Sequence, residues 1–516
     1  MEQYIERPKG SLRRIKPYNV VIVLIMGLGS MSYGYSASII STTLAQPSFF
    51  AYMELDKRSN ANELIGLTGS LYQAGGFIGT FFVSFFADRW GRKVGIAVPA
   101  ALTVVSGALL AGSVNIEMFI AVRPFAGAAA YMIVSAVPLW MSEVVPAHAR
   151  GPLVNIHGAA ILFGFCAAVW IGYGFFQLHT DNLTQWRAPI VFTCLPAMLL
   201  LCCLYWLPES PRFLMLQGRD AEAKQVLEKL HTREEAEYEL VQIQAQTELD
   251  RTLESSYISL LTKPSYRKRV ALGLLTTISI QFTGPFIINN YGPIIYSSLG
   301  FGVNKQFIYQ GGWLTLSFGA GMLSLLVVET MPRPRLLAGG VLGCLVCLSI
   351  EAALVAKYAS AEALKSPNKS ALQAAVAMFY IYIVIFQLTV DGGQFVYLGE
   401  IFPTHLRAKG IALGMAGLNL INIVWLQVAP TAFANIGWRF YLCLIVPGTV
   451  MALIILFWFP NTKGMPLEEV AALFGDEVRC VAHPVEVKDE KSTDDADAEM
   501  VEVAGKDTAR TARSPV

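Results

Sequence analysis

Charge is what this chain has least of. Of its 516 residues only 15% are charged, while 54% are hydrophobic, and the mean hydropathy is +0.48. A soluble chain carries about 25% charged residues, so this one has too few to cover a water-facing surface. Water-soluble enzymes, nucleic-acid binders and disordered regulators are excluded on that ground, and a net charge of +1 leaves no basic surplus for nucleic acid. There is no G-x-x-x-x-G-K-[ST] run to hold ATP and no paired C-x-x-C of zinc spacing, so neither cofactor, metal site nor catalytic residue is expected. Seven of the eight cysteines (Cys166, Cys194, Cys202, Cys203, Cys344, Cys347 and Cys443) lie in apolar runs, and Cys480 lies in a polar tail, which leaves no outer-loop disulfide framework. The first 18 residues are polar and basic and lead into an apolar run at Asn19 with no small-residue cleavage site, the pattern of an uncleaved first span. The remaining class is an integral membrane protein of the lipid bilayer.

A spanning helix needs about 20 mostly apolar residues. Twelve segments meet that need, at about 19–41, 64–87, 94–113, 117–142, 152–176, 188–207, 270–298, 306–328, 336–357, 372–398, 411–433 and 438–459. The expected organisation is an N-terminal segment 1–18, a six-helix half 19–207, a polar linker 208–269, a second six-helix half 270–459 and a charged tail 460–516. Within the linker, Val226, Leu227 and Leu230 share one side of an amphipathic helix. Lys and Arg set orientation. Arg7, Lys9, Arg13, Arg14 and Lys16 precede the first span, and odd-to-even alternation puts Arg89, Arg92, Lys93, Arg150, Arg333, Arg335, Arg407, Lys409 and the linker on the same side. Both termini are therefore expected in the cytoplasm. The two N-x-S/T sequons, at Asn182 and Asn368, then fall in outer loops as candidate glycosylation sites.

The two halves repeat. Glu143-Val-Val-Pro-Ala-His-Ala-Arg150 after the fourth segment returns as Glu400-Ile-Phe-Pro-Thr-His-Leu-Arg407 after the tenth. Asp88-Arg89-Trp-Gly-Arg92-Lys93 is echoed by Glu329-Thr-Met-Pro-Arg333, and Pro208-Glu209-Ser-Pro-Arg212 by Pro460-Asn-Thr-Lys463. Parallel six-helix repeats point to a transporter whose halves rock about a site between them.

These motifs resemble the sugar porter family of the major facilitator superfamily, in a fungal variety, over about 19–475. The resemblance rests on D-R-x-G-R-K at 88–93, P-E-S-P-R at 208–212, E-I-F-P-T-H-L-R at 400–407, Trp186-Arg187 and Leu467-Glu468-Glu469; Val390-Asp391 ahead of Tyr397 and Gly437-Trp438-Arg439 carry the fungal flavour. It implies an all-α membrane protein of twelve transmembrane helices in two six-helix halves, a solute site at the midplane and alternating access. Departures fall at the expected site. The family's G-Y-D is Gly34-Tyr35-Ser36, its glutamine on the fifth segment aligns with Gly158 beside His157, and its W-G-P aligns with Val390-Asp391-Gly392. A hydroxylated ligand then needs partners elsewhere, because unpaired polar groups in a dry site are costly, and the candidates are Gln281, Asn289, Asn290, Gln394, Asn419 and Asn422.

Two charges lie deep in spans, Arg123 in the fourth and Asp391 in the tenth, where an ionised side chain costs about 2.5–3.5 kcal/mol on insertion scales. Each reads as a cavity charge for solute or proton. The plainer alternatives are an arginine clamp on carbonyls and a hydrogen-bonded acid at the Gly392-Gly393 break. Glu351, nearer the end of its span, reads as able to snorkel outward. His157 reads as a proton-sensitive group or a satisfied interior histidine. Asp88, Arg89, Arg92, Glu143, Arg150, Glu209, Arg212, Glu400 and Arg407 read as a cytoplasmic gate, or as residues that only flank spans. The function expected is secondary transport of a small polyhydroxylated solute, a sugar or polyol, either facilitated or coupled to protons, in the plasma membrane. The alternatives are a carrier of an organic acid or secondary metabolite and, in another class, a nutrient sensor.

Overall fold

The computed structural model describes residues 16–146, 150–178, 182–252, 257–359, 363–403, 406–465, 470 and 473–474. The basic run 1–15, the Leu467-Glu468-Glu469 motif, Cys480 and the acidic tail lie outside the described residues, as do the side chains of Arg150 and Asn182.

Every regular element among the described residues is helical. The spans are α1 Pro17–Ala45, α2 Ala61–Trp90, α3 Arg92–Ala111, α4 Ile116–Val144, α5 Arg150–Gln177 and α6, in two pieces, Asn182–Val191 and Cys194–Leu204. After the linker come α7, also in two pieces, Pro264–Gln281 and Pro285–Ser298, then α8 Val303–Val328 and α9 Arg333–Tyr358. Next is α10, Lys369–Ile385 and Gly392–Ile401 joined by a π-helical turn Phe386–Asp391, followed by α11 Arg407–Ile436 and α12 Phe440–Trp458. Ten stretches are long and apolar enough to cross a membrane. One of these, Arg407–Trp458, is two helices parted at Gly437, and α8 packs beside α5 and α7 as a further span, which makes twelve.

The linker helix Asp220–Leu230 buries Ala223, Leu227 and Leu230, the amphipathic face expected. It is tied to the start of α1, where the Lys16 ammonium donates to the carbonyls of Glu228 and Lys229, both at 3.2 Å, and Asn19 Nδ2 donates to that of Leu230 at 3.1 Å. Lysine at a helix C-terminus meets carbonyls that have no intrahelical donor.

In the first half, α2 and α4 touch through backbone. A Cβ added at Gly75 would sit 1.8 Å from the Pro124 carbonyl oxygen, and one at Gly127 would sit 1.8 Å from that of Tyr72. Glycine is required at both, as expected where membrane helices approach closely.

The seventh span departs from the single helix expected. Gly284 takes φ +77° and Pro285 opens the second piece. Glycine tolerates the left-handed region, and proline suits a helix start while ending the ladder behind it. The freed Thr283 carbonyl accepts from the Tyr382 hydroxyl at 3.1 Å.

Candidate functional site

At the linker end each half carries the same ionic clamp. In the first, buried Arg92 pairs with Glu143 through Nε and Nη2 at 3.0 and 3.1 Å, and its Nη1 donates to Asp88 at 3.0 Å and to the Ala87 carbonyl at 2.8 Å. Glu209 closes the arrangement by accepting from the backbone N–H of Arg92 at 3.0 Å and of Ser210 at 2.9 Å. In the second, Arg333 pairs with Glu400 at 2.7 Å, with Glu329 at 2.9 Å and with the Val328 carbonyl at 2.6 Å. The Arg333 N–H donates to Asn461 Oδ1 at 3.2 Å, and the Thr462 hydroxyl donates to Glu400 at 2.6 Å. Burial holds the Glu209 carboxyl above its usual range, against the lowering effect of its backbone donors. The ion pairs described here join groups of one half. Arg89 lies over the Trp90 ring, Arg407 Nε is buried without a partner, and Arg212 is half-buried.

Contacts between the halves gather at the opposite end. Ser70 Oγ donates to Gln427 Oε1 at 2.7 Å, and the Tyr291 hydroxyl to the Leu426 carbonyl at 2.9 Å. Trp170 Nε1 donates to Thr315 at 2.9 Å, and Gln177 Nε2 to Asn304 at 3.1 Å. Deeper in, Ser38 Oγ donates to Asn289 Oδ1 at 3.0 Å. Toward the linker, α5 presents Asn155 and Gly158 exposed, and nothing lies within 4 Å of a Cβ built at Gly158. The bundle is thus closed distal to the linker.

Between those ends lie the expected amides. Asn422 Nδ2 donates to Gln281 Oε1 at 3.2 Å, joining α11 to the α7 break. Asn419, one turn from Asn422, is fully buried, and neither amide atom has a partner. Asn290 Nδ2 donates to the Phe286 carbonyl at 2.8 Å. Gln394 Nε2 reaches Asp391 Oδ1 at 3.5 Å, and its Oε1 is buried without a partner. Asp391 is half-buried at the end of the π-helical turn; such turns recur at functional sites.

Arg123 is fully buried on α4. Its Nε donates to the Thr68 carbonyl at 2.8 Å, and its guanidinium lies 4.6 Å from the Tyr72 ring centroid. Among the described residues no ion pair joins it to Asp391. His157 Nδ1 lies 2.7 Å from Ser30 Oγ. Asn368 is exposed and caps α10 by accepting from Ala371 N–H at 3.2 Å. Glu351 does not snorkel outward: it is fully buried on α9, with neither carboxylate oxygen partnered.

Several central groups escaped the sequence reading. Tyr33 meets Tyr131 edge-on at 5.4 Å, and Tyr131 meets Tyr72 at 6.3 Å. Gln310 Nε2 donates to the Asn289 carbonyl at 3.1 Å, and Gln387 Nε2 to Ser317 at 2.9 Å. Trp425 on α11 has a buried, unpartnered indole N–H beside Phe282. A glutamine inside an apolar run was the available signal for Gln310 and Gln387; the tyrosines carried none.

Two six-helix halves with matched clamps and a polar seam between them are the architecture of a multi-pass membrane transporter. A family model described as "Sugar (and other) transporter" matches residues 22–474, and the chain belongs to that family. It is similar to the MFS-type transporter criB of Aspergillus cristatus, 28% identical over 461 residues that cover 88% of this chain and 92% of the relative. It is also similar to Sugar transport protein 7 of Arabidopsis thaliana, 26% identical with 91% and 93% covered, and to a quinate permease of Neurospora africana, 28% identical with 87% of each covered. The xylose transporter XylE from E. coli, in a partially occluded inward-open conformation, shares the fold at a TM-score of 0.73 and 23% identity over 87% of this chain and 99% of that one.

Proposed function

We propose that the protein carries a small polyhydroxylated solute, a sugar or polyol, between the halves, against Gln281, Asn289, Asn290, Gln394, Asn419 and Asn422. The observation that carries this reading is Asn419: a fully buried amide with no partner on either atom is costly unless a ligand completes it. Broken helices beside it support the same place, since discontinuous spans recur at transporter binding sites. The Lys and Arg bias supports cytoplasmic termini, and the protein is assigned to the plasma membrane with Asn182 and Asn368 as outer glycosylation sites. In that orientation the closed end faces outward, and the clamps act by keeping the cytoplasmic end of each half rigid while the halves rock. With Ser36 where the family's symporters have Asp, movement down the solute gradient is the default, and any proton coupling runs through Asp391.

The test is a thermal-shift screen of purified protein against sugars, polyols and carboxylates, followed by flux in vesicles. A ligand at a hundredfold excess over Kd stabilises by about 2.7 kcal/mol. Stabilisation and flux with a neutral polyhydroxylated solute support the reading. Stabilisation by carboxylates alone favours an organic-acid carrier, and binding without flux favours a sensor.

A further inference from the structure

The amides of the proposed site all belong to the second half, yet the first half carries a polar pair of its own. His157 Nδ1 on α5 lies 2.7 Å from Ser30 Oγ on α1, the one hydrogen bond described for either side chain. Its counterpart is the bond at 3.2 Å between Asn422 on α11 and Gln281 on α7, the first and fifth helices of the other half. The two pairs lie at one depth. Ser38 on α1 touches Asn289 on α7 across the seam. Ser30 precedes Ser38 by eight residues and Gln281 precedes Asn289 by eight, so each lies about 12 Å nearer the linker at the helical rise.

Beside His157 there is room. Gly158, Leu162 and Phe165 share one side of α5 by their spacing. Leu162 closes on Gly321 of α8, and Phe165 packs on Tyr33 at 6.5 Å, so this side faces the interior and the second half. At Gly158 that side is exposed, with nothing within 4 Å of an added Cβ. Ser30 is fully buried, whereas His157 is only half-buried.

The pairing also fixes what the ring offers. Thr42 and Thr43 on the same helix donate to the Ile39 carbonyl, but for Ser30 no carbonyl acceptor is described. Its buried hydroxyl therefore donates to Nδ1, because an unmet buried donor is costly. With Nδ1 accepting, the neutral imidazole carries its proton on Nε2.

We propose that His157 is the solute ligand of the first half, its Nε2–H donating to an oxygen of the solute in the space beside Gly158, with Ser30 as the positioning residue that sets the tautomer. This rests on the reading of the central site given above. The solute is then held from both halves at one depth, by His157 on one wall and by Gln281 and Asn422 on the other.

The test is ligand-induced thermal shift on the purified full-length protein with glucose, xylose, sorbitol and mannitol, the strongest binder being carried into the variants. H157F keeps a ring and loses the donor, and its affinity falls about tenfold, the size of one good hydrogen bond. H157Q keeps an N–H at similar reach and stays within about threefold of wild type, which a merely structural role for the imidazole would not give. S30A leaves the ring in place and frees its tautomer, so a weakening of about threefold there guards against a misfolded H157F. Wild-type affinity in H157F overturns the inference and leaves the amide site standing. So does H157Q that folds but binds as poorly as H157F, or S30A that binds as wild type. A wild type shifted by none of the four probes overturns both readings.

Discussion

The two halves carry the same clamp at the linker end and differ where the bundle is deepest. Arg92 and Arg333 each gather a carboxylate from the fourth helix of their half, an acid four residues upstream and the carbonyl five residues back. In the first half, α1, α2 and α4 run unbroken through the seam, locked by the Gly75 and Gly127 backbone contact and by buried Arg123 on a carbonyl. In the second, α7 is cut at Gly284 and α10 carries the π-helical turn, and the partnerless amide of Asn419 lies on α11 between them. Shared clamps make both halves stiff at one end. The first half has its own break, in α6 between Val191 and Cys194, whereas the breaks of the second half flank Asn419.

The largest expected effect lies at the clamps, alike in their pairing but unequal in the exposure of their carboxylates. Arg92→Ala leaves Glu143, only 6% exposed, without its cation, and removing one partner of a buried pair costs about 3–5 kcal/mol. Arg333→Ala leaves Glu400, which is 24% exposed and keeps the Thr462 hydroxyl, so its loss is expected to be smaller. Thermal melting of the two purified variants measures the order. Equal losses would mean that exposure does not distinguish the clamps.

A smaller effect is expected at the α7 break. Gly284→Ala forces a side chain into the left-handed region, at about 1–2 kcal/mol, and brings its Cβ within 3.2 Å of Leu444. Transport in vesicles should slow severalfold while most of the protein still folds. Full wild-type flux would remove the break from the moving parts.

The smallest effect belongs to Glu209. Because burial raises its carboxyl pKa in the folded state, the folded protein holds that proton more tightly than the unfolded chain. Its contribution to stability therefore falls as pH rises through the window from the ordinary carboxyl value to the raised one. Glu209→Gln should flatten that part of a melting-temperature profile against pH. An unchanged slope would assign the dependence to other groups.

The fold was legible because lipid imposes a coarse code. Runs of about 20 apolar residues, the basic bias and the repeated Glu-to-Arg spacing need no knowledge of partners. Site chemistry was legible as residue types only. Gln281 and Asn422 stood out as amides in apolar runs, but their pairing across α7 and α11 depends on how the helices are rotated. The same limit misled the reading of Glu351, whose distance along α9 suggested an outward reach while its side chain points inward. Arg123 answers to a backbone carbonyl, which no residue letter announces. Gly284-Pro285 did carry a break signal, and Gly392-Gly393 marked one beside the turn at 386–391, where the helix in fact continues through Gly392. The clamp residues were found by their repetition, yet their pairing within each half follows from the helix ends that bring Arg92 to Glu143 and Arg333 to Glu400.

The account turns on Asn419 as a solute ligand that stands unpaired without one. The most direct measurement is the melting temperature of wild type and Asn419→Leu, each with and without the sugar or polyol that the screen identifies. Leucine is close in size and removes two unsatisfied buried atoms, each group worth about 1–3 kcal/mol. The account predicts a ligand-free variant at least as stable as wild type, with the ligand-induced shift lost. A variant that melts lower without ligand, or that keeps the full shift with it, would contradict the account.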